Sequence, residues 1–190
     1  MSQIITLANA KPSDVALSVA AGQTLTIIGQ SLQANEKLIF DGSAELDGSF
    51  NVKAGRSDDV ITGGAGNDVI WGNLGADTLK GGGGADSFMY QMAAESTASG
   101  RDQILDFAAG DRIVLQAIDA DGNAANGDSR YAFIGSDAFH NVVSSRVTQA
   151  AVDSRSWLVE GDTNGDGAAD FSLLIVAQQG QILGSNDFLL

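Results

Sequence analysis

Four aspartates recur at intervals of nine residues in the middle of the chain, at Asp59, Asp68, Asp77 and Asp86. The units around them read AGRSDDVIT, GGAGNDVIW, GNLGADTLK and GGGGADSFM. Each unit begins with a turn, which is glycine-rich in three of the four units. Aspartate is the sixth residue of each unit, and a large apolar residue is the eighth. A hard dication such as Ca²⁺ prefers oxygen ligands from carboxylates and backbone carbonyls, at about 2.3–2.6 Å. The spacing therefore predicts a series of calcium sites.

The glycines of these turns suit such sites because the backbone there must curve tightly. Glycine at places 1, 2 and 4 permits positive-φ conformations that a side chain opposes, so that carbonyl oxygens can turn toward an ion. The glycines predicted to contribute to the sites are Gly64, Gly66, Gly75, Gly82 and Gly84. Ala54, Ser57 and Asn73 stand where the pattern has glycine, and asparagine tolerates left-handed φ better than serine. We therefore expect the first turn to bind calcium most weakly.

A β-prone triplet follows each aspartate, and its middle side chain is expected to point inward. If one unit is a strand plus a turn, two units complete a coil, and turns on the same edge lie 18 residues apart. Asp59 then stacks on Asp77, and Asp68 on Asp86. Carboxylates stacked at the strand spacing of about 4.8 Å repel one another, so a bound cation becomes part of the fold. A solvated Gly/Asp linker, the alternative, has no reason to keep the nine-residue phase.

The pattern GGxGxDxUx, in which U is a large apolar residue, is typical of calcium-binding parallel β-helices. By this repeat, residues 54–89 resemble the RTX (repeat-in-toxin) family. The segment after it resembles the C-terminal module of serralysin-type secreted metalloproteases, through DQILDF at 102–107, GDRIVL at 110–115, IDA at 118–120, YAFIG at 131–135 and DTNGDGAADF at 162–171. The tail from Ser185 to Leu190 is similar to the acidic-then-apolar tail that type I exporters read. The resemblance implies export without a cleaved N-terminal signal and folding on calcium outside the cell.

A second acidic loop lies further along the chain. Asp162, Asn164, Asp166, the carbonyl of Ala168 and Asp170 occupy places 1, 3, 5, 7 and 9 of a calcium loop. Place 12 is Leu173, so the loop is not an EF-hand. Apolar runs flank it and predict a hairpin that carries an ion at its tip. An ordinary hairpin turn rich in Asn, Asp and Gly is the alternative.

Three more aspartates, Asp102, Asp106 and Asp111, follow the repeats. Asp106 lies two places beyond Ile104, which is the 18-residue continuation of Asp86. We expect these aspartates either to close the last calcium site, with Asp106 as a ligand, or to cap strands. The sequence leaves both interpretations open.

Composition restricts the partners. The 190 residues carry a net charge of −14, and no basic run is present that would neutralise nucleic-acid phosphates or anionic lipid. There is no cysteine for disulfides or thiolate metal sites. No apolar run approaches the roughly 20 residues that span a bilayer, and the N-terminus lacks the features of a cleaved signal. The single histidine, His140, excludes the two-histidine zinc motif of zincin proteases and is expected to be a surface or packing residue.

The predicted fold is all-β, a right-handed parallel β-roll of nonapeptides between two flanking regions. Residues 1–53 are expected to form capping strands, 54–89 the roll, and 90–190 a serralysin-like β-rich cap with an export tail at 185–190. The expected N-terminal strands are 4–7, 15–19, 25–28, 38–40 and 49–52. Val52 falls in the apolar place of the coil before the repeats but Phe50 in the aspartate place, so that coil is expected to cap the roll without an ion on that edge.

The predicted function is that of a non-catalytic module that binds several Ca²⁺ ions and folds on them outside the cell. Two alternatives remain open: a calcium-dependent structural or adhesive protein that self-associates, and an accessory module of a larger secreted hydrolase. Paired-carboxylate hydrolysis is disfavoured because the chain has 20 Asp but only 4 Glu, most of the former assigned to turns. A polysaccharide-binding role is disfavoured for acidic glycans by the negative charge.

Overall fold

The computed structural model describes residues 3–6, 19–119, 130–139, 144–149 and 155–190. Most of the predicted strand at 15–19, and His140, lie outside these residues. None of the helices in the described ranges is long and apolar enough to cross a membrane.

The described residues form fifteen strands. In chain order they are β1 (Gln3–Thr6), β2 (Thr24–Ile28), β3 (Ile39–Asp41), β4 (Ser49–Lys53), β5 (Val60–Thr62), β6 (Val69–Trp71), β7 (Thr78–Lys80), β8 (Ser87–Met89), β9 (Asp102–Phe107), β10 (Arg112–Val114), β11 (Ala132–Phe133), β12 (Ser144–Gln149), β13 (Ser156–Asp162), β14 (Phe171–Ala177) and β15 (Phe188–Leu189). Short 3₁₀ turns occur at Ala93–Glu95 and Ser185–Asp187.

The strands form two sheets. Sheet A has the order β1-β2-β4-β6-β8-β10-β15, and sheet B the order β11-β12-β13-β14-β9-β7-β5-β3. From β3 to β10 the chain alternates between the sheets, and neighbouring strands within each sheet pair in parallel. The register of the repeats is 18 residues, as in Val52↔Ile70 and Ile61↔Leu79. The predicted parallel β-roll is therefore confirmed.

The apolar eighth residue of each unit forms the core between the sheets. Ile61, Ile70 and Phe88 are completely buried, and Leu79 is 1 % exposed. In each triplet only the middle residue is buried. The residues on either side of it face outward and are partly exposed, except Lys80, which is exposed. Burying one such side chain stabilises the fold by about 1.5–3 kcal/mol, so a three-residue strand can hold its place in the stack.

The N-terminal coils continue the same core. β2 pairs with β4, and β3 pairs with β5 at an offset of 21 residues, because the turns before the repeats are longer. Phe50 is 1 % exposed and its ring lies edge-on to that of Phe40, with centroids 5.0 Å apart. Residue 50 therefore fills the core.

At the C-terminal end, β13 and β14 form the predicted antiparallel hairpin, and β14 joins the roll by parallel pairing with β9. The tail is part of the fold: β15 pairs in parallel with β10, and Phe188 is 5 % exposed and stacks near Phe133. Both sheets continue across the predicted boundaries at residues 53 and 89. The division at these positions stays a prediction.

Candidate metal centre

The turns of the roll lie on two edges. The first edge carries turns that lead from sheet A to sheet B, at 54–59 and 72–77, and the second carries the return turns at 63–68 and 81–86. Each turn ends in an aspartate of the nine-residue series. Because the two strand layers stack in register, aspartates 18 residues apart meet on the same edge.

Backbone hydrogen bonds tie each aspartate to the coil before it. The N–H of Asp59 donates to Oδ1 of Asp77 at 2.7 Å on the first edge, and the N–H of Asp68 donates to Oδ1 of Asp86 at 2.8 Å on the second. The predicted stacking of Asp59 on Asp77 and of Asp68 on Asp86 is thus present. Each carboxylate has one oxygen that holds a neighbouring coil and a second oxygen that points elsewhere.

Asp102 and Asp111 extend these two ladders beyond the repeats. The N–H of Asp77 donates to Oδ1 of Asp102 at 2.9 Å, and the N–H of Asp86 donates to Oδ1 of Asp111 at 3.0 Å, both at an offset of 25 residues. The sequence contained a signal for this extension of the ladders to Asp102 and Asp111. Asp102 and Asp111 are nine apart, and each is followed two residues later by a buried isoleucine, Ile104 or Ile113. The repeat therefore resumes after an insertion, a continuation that the 18-residue extrapolation missed.

The second carboxylate oxygens decide what these ladders can bind. Oδ2 of Asp59 accepts from the N–H of Gly55 at 2.9 Å, and Oδ2 of Asp68 from the N–H of Gly64 at 2.6 Å. Oδ2 of Asp77, Asp86 and Asp102 is buried without a hydrogen-bond partner. An unsatisfied buried acceptor costs about 1–3 kcal/mol, and more when it is charged. These oxygens have the chemistry and the free lone pairs to ligate a cation.

Burial and mutual repulsion shift the titration of the ladder. Desolvation, with repulsion from Asp102 second, raises the pKa of Asp77 to about 9. Desolvation also raises the pKa of Asp86 and of Asp102 to about 7. The pKa values of Asp59, Asp68 and Asp111 are raised for the same first reason. The fold therefore holds carboxylates where their charged form is unfavourable unless a positive charge is added.

A buried polar group closes the first edge at its C-terminal end. The nine-residue count after Asp86 falls on Glu95, which is completely buried and accepts from the indole Nε1–H of Trp71 at 3.0 Å. Its Oε1 and the buried hydroxyl of Tyr90 have no hydrogen-bond partner of normal geometry. The Tyr90 hydroxyl lies beside the Asp102 carboxylate, and burial with this negative charge raises its pKa. Neither Glu95 nor Tyr90 was predicted from the sequence as a site residue.

The glycines follow a different rule from the one predicted. At the first place, a Cβ on Gly63, Gly72 or Gly81 would collide with Oδ2 of the aspartate of its own turn. None of these three has left-handed φ, so close approach, and not conformational freedom, requires glycine there. Positive φ does occur at the second and fourth places of the last two units, including Asn73 at 68°, as the tolerance of asparagine suggested.

The remaining predicted glycines contact the preceding coil. A Cβ on Gly82 would meet the carbonyl oxygen of Gly64, one on Gly84 that of Gly66 at 2.5 Å, and one on Gly75 that of Ser57 at 2.6 Å. The carbonyl oxygens of Gly64 and Gly66 thus lie against the next turn on the second edge. Left-handed φ at Gly64 and Gly66, which the pattern predicted, is absent.

At the N-terminal end of each edge, the N–H that pairs with the first aspartate of the ladder belongs to an apolar residue and not to another aspartate. The N–H of Leu38 donates to Oδ1 of Asp59 and that of Phe50 to Oδ1 of Asp68, each at 2.7 Å. In the turn between β3 and β4, which precedes the turn at 63–68 on the second edge, Glu45 accepts from the N–H groups of Val19 and Gly48 at 2.7 and 3.1 Å. These hydrogen bonds, led by that from Val19, lower the pKa of Glu45 to about 2. A carboxylate side chain therefore organises this turn.

Asp106 contacts the last repeat turn directly. Its Oδ1 accepts from the N–H of Gly81 and its Oδ2 from the N–H of Gly82, each at 3.0 Å. Asp106 thus caps the start of the 81–86 turn, while each oxygen keeps a second lone pair that could serve a cation.

The hairpin loop at 162–170 is organised by its own carboxylates. Asp162, which is buried, accepts from the N–H groups of Gly165 and Gly167 at 2.7 and 2.9 Å. Asp170 accepts from the N–H and hydroxyl of Thr163 at 2.9 and 2.6 Å. Two further hydrogen bonds lie within the loop. The N–H of Asp166 donates to Oδ1 of Asn164, and the N–H of Ala168 donates to Oδ1 of Asp166, each at 2.8 Å. The side chains at places 1, 3, 5 and 9 all accept or share hydrogen bonds within the loop.

Backbone oxygens would have to complete any of these sites. Within the described ranges, no three Asp, Glu, His or Cys side chains converge closely enough to hold a metal ion by themselves. A cation between two turns would therefore take one or two carboxylates together with carbonyls, which is a donor set that Ca²⁺ accepts and that softer metals do not prefer.

Comparison with known proteins agrees with this chemistry. Residues 54–88 match the family model of the RTX calcium-binding nonapeptide repeat, in four copies. No curated protein matches the chain significantly. RTX nonapeptide repeats bind Ca²⁺, with several ions across the repeats. The repeat block is a structural calcium-binding module. By its roll and its four nonapeptides, the segment 54–88 is an RTX calcium-binding repeat block.

Proposed function

We propose that the chain is a non-catalytic module whose folding is driven by calcium binding to the two edges of the roll. One observation carries the proposal: Oδ2 of Asp77, Asp86 and Asp102 is buried without a partner, on ladders of stacked carboxylates. Without a cation these groups oppose folding, through desolvation and repulsion. With Ca²⁺ the same groups become ligands, so binding free energy becomes folding free energy.

The ligands we propose on the first edge are Asp59 and Asp77, with Gly75 from the turn and Asp102 as the closing carboxylate. On the second edge they are Asp68 and Asp86, with turn carbonyls of Gly64, Gly66, Gly82 and Gly84 and closure by Asp111 and Asp106. The unpartnered oxygens of Asp77, Asp86 and Asp102 support the carboxylates, and the approach of the Gly64 and Gly66 carbonyls to the next turn supports the carbonyls. Several ions bound in series would account for cooperative folding.

We propose a further ion at the 162–170 loop, held by Asp162, Asn164, Asp166, the Ala168 carbonyl and Asp170. The support is the predicted spacing together with a loop already closed around Asp162 by two N–H donors. The hairpin position of the loop agrees with this role, because β13 and β14 fix its two ends.

Folding of this kind fits a protein that works outside the cell. Extracellular calcium modules bind at about 10⁻⁴–10⁻³ M, which lies well above cytosolic free calcium. We propose that the chain leaves the cell unfolded by type I export and folds at millimolar calcium, with the tail at 185–190 as the export signal. In the folded protein Phe188 is buried against the core, so the folded tail would be poorly accessible to an exporter. Export before folding is consistent with this burial.

The experiment is a far-UV circular dichroism titration of EDTA-stripped protein with Ca²⁺, with Mg²⁺ at equal ionic strength as control. The proposal predicts a cooperative gain of β signal between sub-millimolar and millimolar Ca²⁺, and no comparable gain with Mg²⁺. A chain with full β signal in EDTA would contradict it.

A second candidate function is calcium-dependent self-assembly. β3 is the last strand of sheet B among the described residues, and Ile39 on it and Leu46 in the next turn are 57 % and 78 % exposed. Exposed edge strands with apolar side chains favour association. Sedimentation velocity with and without Ca²⁺ tests it: a monomer at all concentrations under both conditions would exclude this function.

A further inference from the structure

The fifth place of the nonapeptide, which the pattern leaves variable, has a geometry of its own. The four residues there are Asp58, Asn67, Ala76 and Ala85. Oδ1 of Asp58 accepts from the N–H of Ala76 at 2.9 Å, and Oδ1 of Asn67 accepts from the N–H of Ala85 at 2.8 Å. Both contacts join the same places 18 residues apart, one on each edge of the roll.

These contacts run opposite to those of the sixth place. At place five the earlier coil supplies the acceptor and the later coil the N–H, as from Ala76 to Asp58. At place six the earlier coil supplies the N–H, from Asp59 to Asp77, at 2.7 Å. Adjacent turns therefore hold each other by a reciprocal pair of hydrogen bonds, and neither bond involves a cation.

The two side chains share the acceptor oxygen and differ in charge. Asp58 and Asn67 are both exposed at the surface of the turns, so apolar burial does not explain them. Asn67 Oδ1 also lies 2.9 Å from the position that a Cβ on Gly84 would occupy. One contact thus joins consecutive turns on an edge. The acceptor at place five of the earlier turn packs against the glycine at place four and the small residue at place five of the later turn.

We propose that Asp58 and Asn67 are positioning residues for calcium binding: each uses its Oδ1 to hold the next turn on its edge, 72–77 or 81–86, in the geometry that the ion requires. The inference rests on the proposed function and adds residues that would not ligate calcium themselves. In the folding transition each such hydrogen bond fixes the carbonyls and the aspartate of the next turn, so the ion alone has less conformational entropy to offset when it binds. The acceptor oxygen, and not the charge, performs this role.

A single net hydrogen bond at a surface turn corresponds to about a two- to tenfold change in an equilibrium constant. Asp58→Ala and Asn67→Ala should each raise the Ca²⁺ concentration at the folding midpoint by that factor. Asp58→Asn and Asn67→Asp keep the acceptor and should stay within about twofold of the wild type. Asp47→Ala, which removes an exposed carboxylate from a turn outside the repeats, controls for net charge.

The deciding readout is amide hydrogen exchange by NMR in calcium-loaded protein. We expect Asp58→Ala to lower protection at the Ala76 amide and not at Ala85, Asn67→Ala to do the converse, and the acceptor-retaining variants to restore both. Equal midpoint shifts for Asp58→Ala and Asp58→Asn would overturn the proposal, as would unchanged Ala76 and Ala85 protection in the alanine variants. If the wild type proved folded without Ca²⁺, the proposed function would fail. Hydrogen exchange at the Ala76 and Ala85 amides would still decide whether the side-chain contacts hold the turns.

Discussion

The backbone N–H of Asp59 donates to Oδ1 of Asp77 at 2.7 Å, so the carboxylate of one coil holds the backbone of the coil before it. The other oxygen of Asp77 is buried with no partner. One side chain thus links two coils through Oδ1 and has Oδ2 free to ligate a cation.

Asp77→Asn should separate these two roles. Asparagine keeps an acceptor for the Asp59 N–H but removes the negative charge that calcium would neutralise. We expect the Ca²⁺ midpoint for folding to rise by at least about tenfold, or 1.4 kcal/mol. Asp47→Asn, on an exposed turn, should leave the midpoint unchanged. Similar midpoints for Asp77→Asn and the wild type would show that Asp77 binds no ion.

Gly81, at the first place of the last repeat, should not tolerate a side chain, whereas Gly83, two residues later, should tolerate one. A Cβ on Gly81 would collide with Oδ2 of Asp86, but one on Gly83 has no atom nearer than 3.5 Å. Gly81→Ala should destabilise the calcium-loaded protein by about 1–3 kcal/mol through overpacking, and Gly83→Ala by no more than about 0.5 kcal/mol. Urea denaturation at saturating Ca²⁺ measures both. Equal effects would argue against the close approach of the carboxylate.

The ladder makes calcium binding compete with protons. Because the folded-state pKa of Asp77 is raised to about 9, and those of Asp86 and Asp102 to about 7, the metal-free fold retains the stability of their neutral forms below the unfolded pKa of about 4. It loses that stability progressively as the pH rises above about 4, and the loss is complete near pH 7 for Asp86 and Asp102 and near pH 9 for Asp77. Metal-free protein should therefore gain β signal on acidification. Calcium should bind more tightly at pH 8 than at pH 6 and release protons, which calorimetry in buffers of different ionisation enthalpy detects. No proton release at pH 6–7 would contradict these shifts.

The interior of the roll should tolerate truncation poorly. Ile70 is completely buried between the sheets, whereas Ile182, which has the same side chain, is 76 % exposed. Ile70→Ala should cost about 2–5 kcal/mol by cavity formation, against no more than about 0.5 kcal/mol for Ile182→Ala. Thermal denaturation in saturating Ca²⁺ compares them. A small effect at Ile70 would mean that the eighth place does not form the core.

The hairpin loop can be tested apart from the roll. Asp162→Asn should reduce the calcium stoichiometry by one ion in native mass spectrometry while the cooperative folding transition persists. An unchanged stoichiometry would identify the loop as an ordinary hairpin turn held by its own hydrogen bonds.

The sequence predicted the roll because its local signals agree. Nine-residue phase, inward apolar residues such as Ile61 and Ile70, and glycine-rich turns all favour the same coil. The pairing of Asp59 with Asp77 follows from that phase alone. The extension to Asp102 did not, because the insertion between Met89 and Asp102 changes the offset from 18 to 25 residues and only the three-dimensional stack shows where the register resumes.

The reason for the first-place glycines was also beyond the sequence. Glycine at Gly63 or Gly81 suggests left-handed φ, but the structure has close packing of a carboxylate against Cα, a contact that depends on a side-chain rotamer. Likewise Glu95 falls on the nine-residue count, but its burial depends on how the 90–101 segment folds over Trp71. Sequence periodicity locates residues along the edge and does not give the direction of their side chains.

The central claim is that calcium lies between stacked turns of the roll. Anomalous diffraction from crystals grown at millimolar Ca²⁺ tests it most directly. The account predicts anomalous peaks on both edges, between the turns of Asp59 and Asp77 and between those of Asp68 and Asp86, each within ligand distance of a carboxylate oxygen. A folded roll with no peaks on either edge would contradict it.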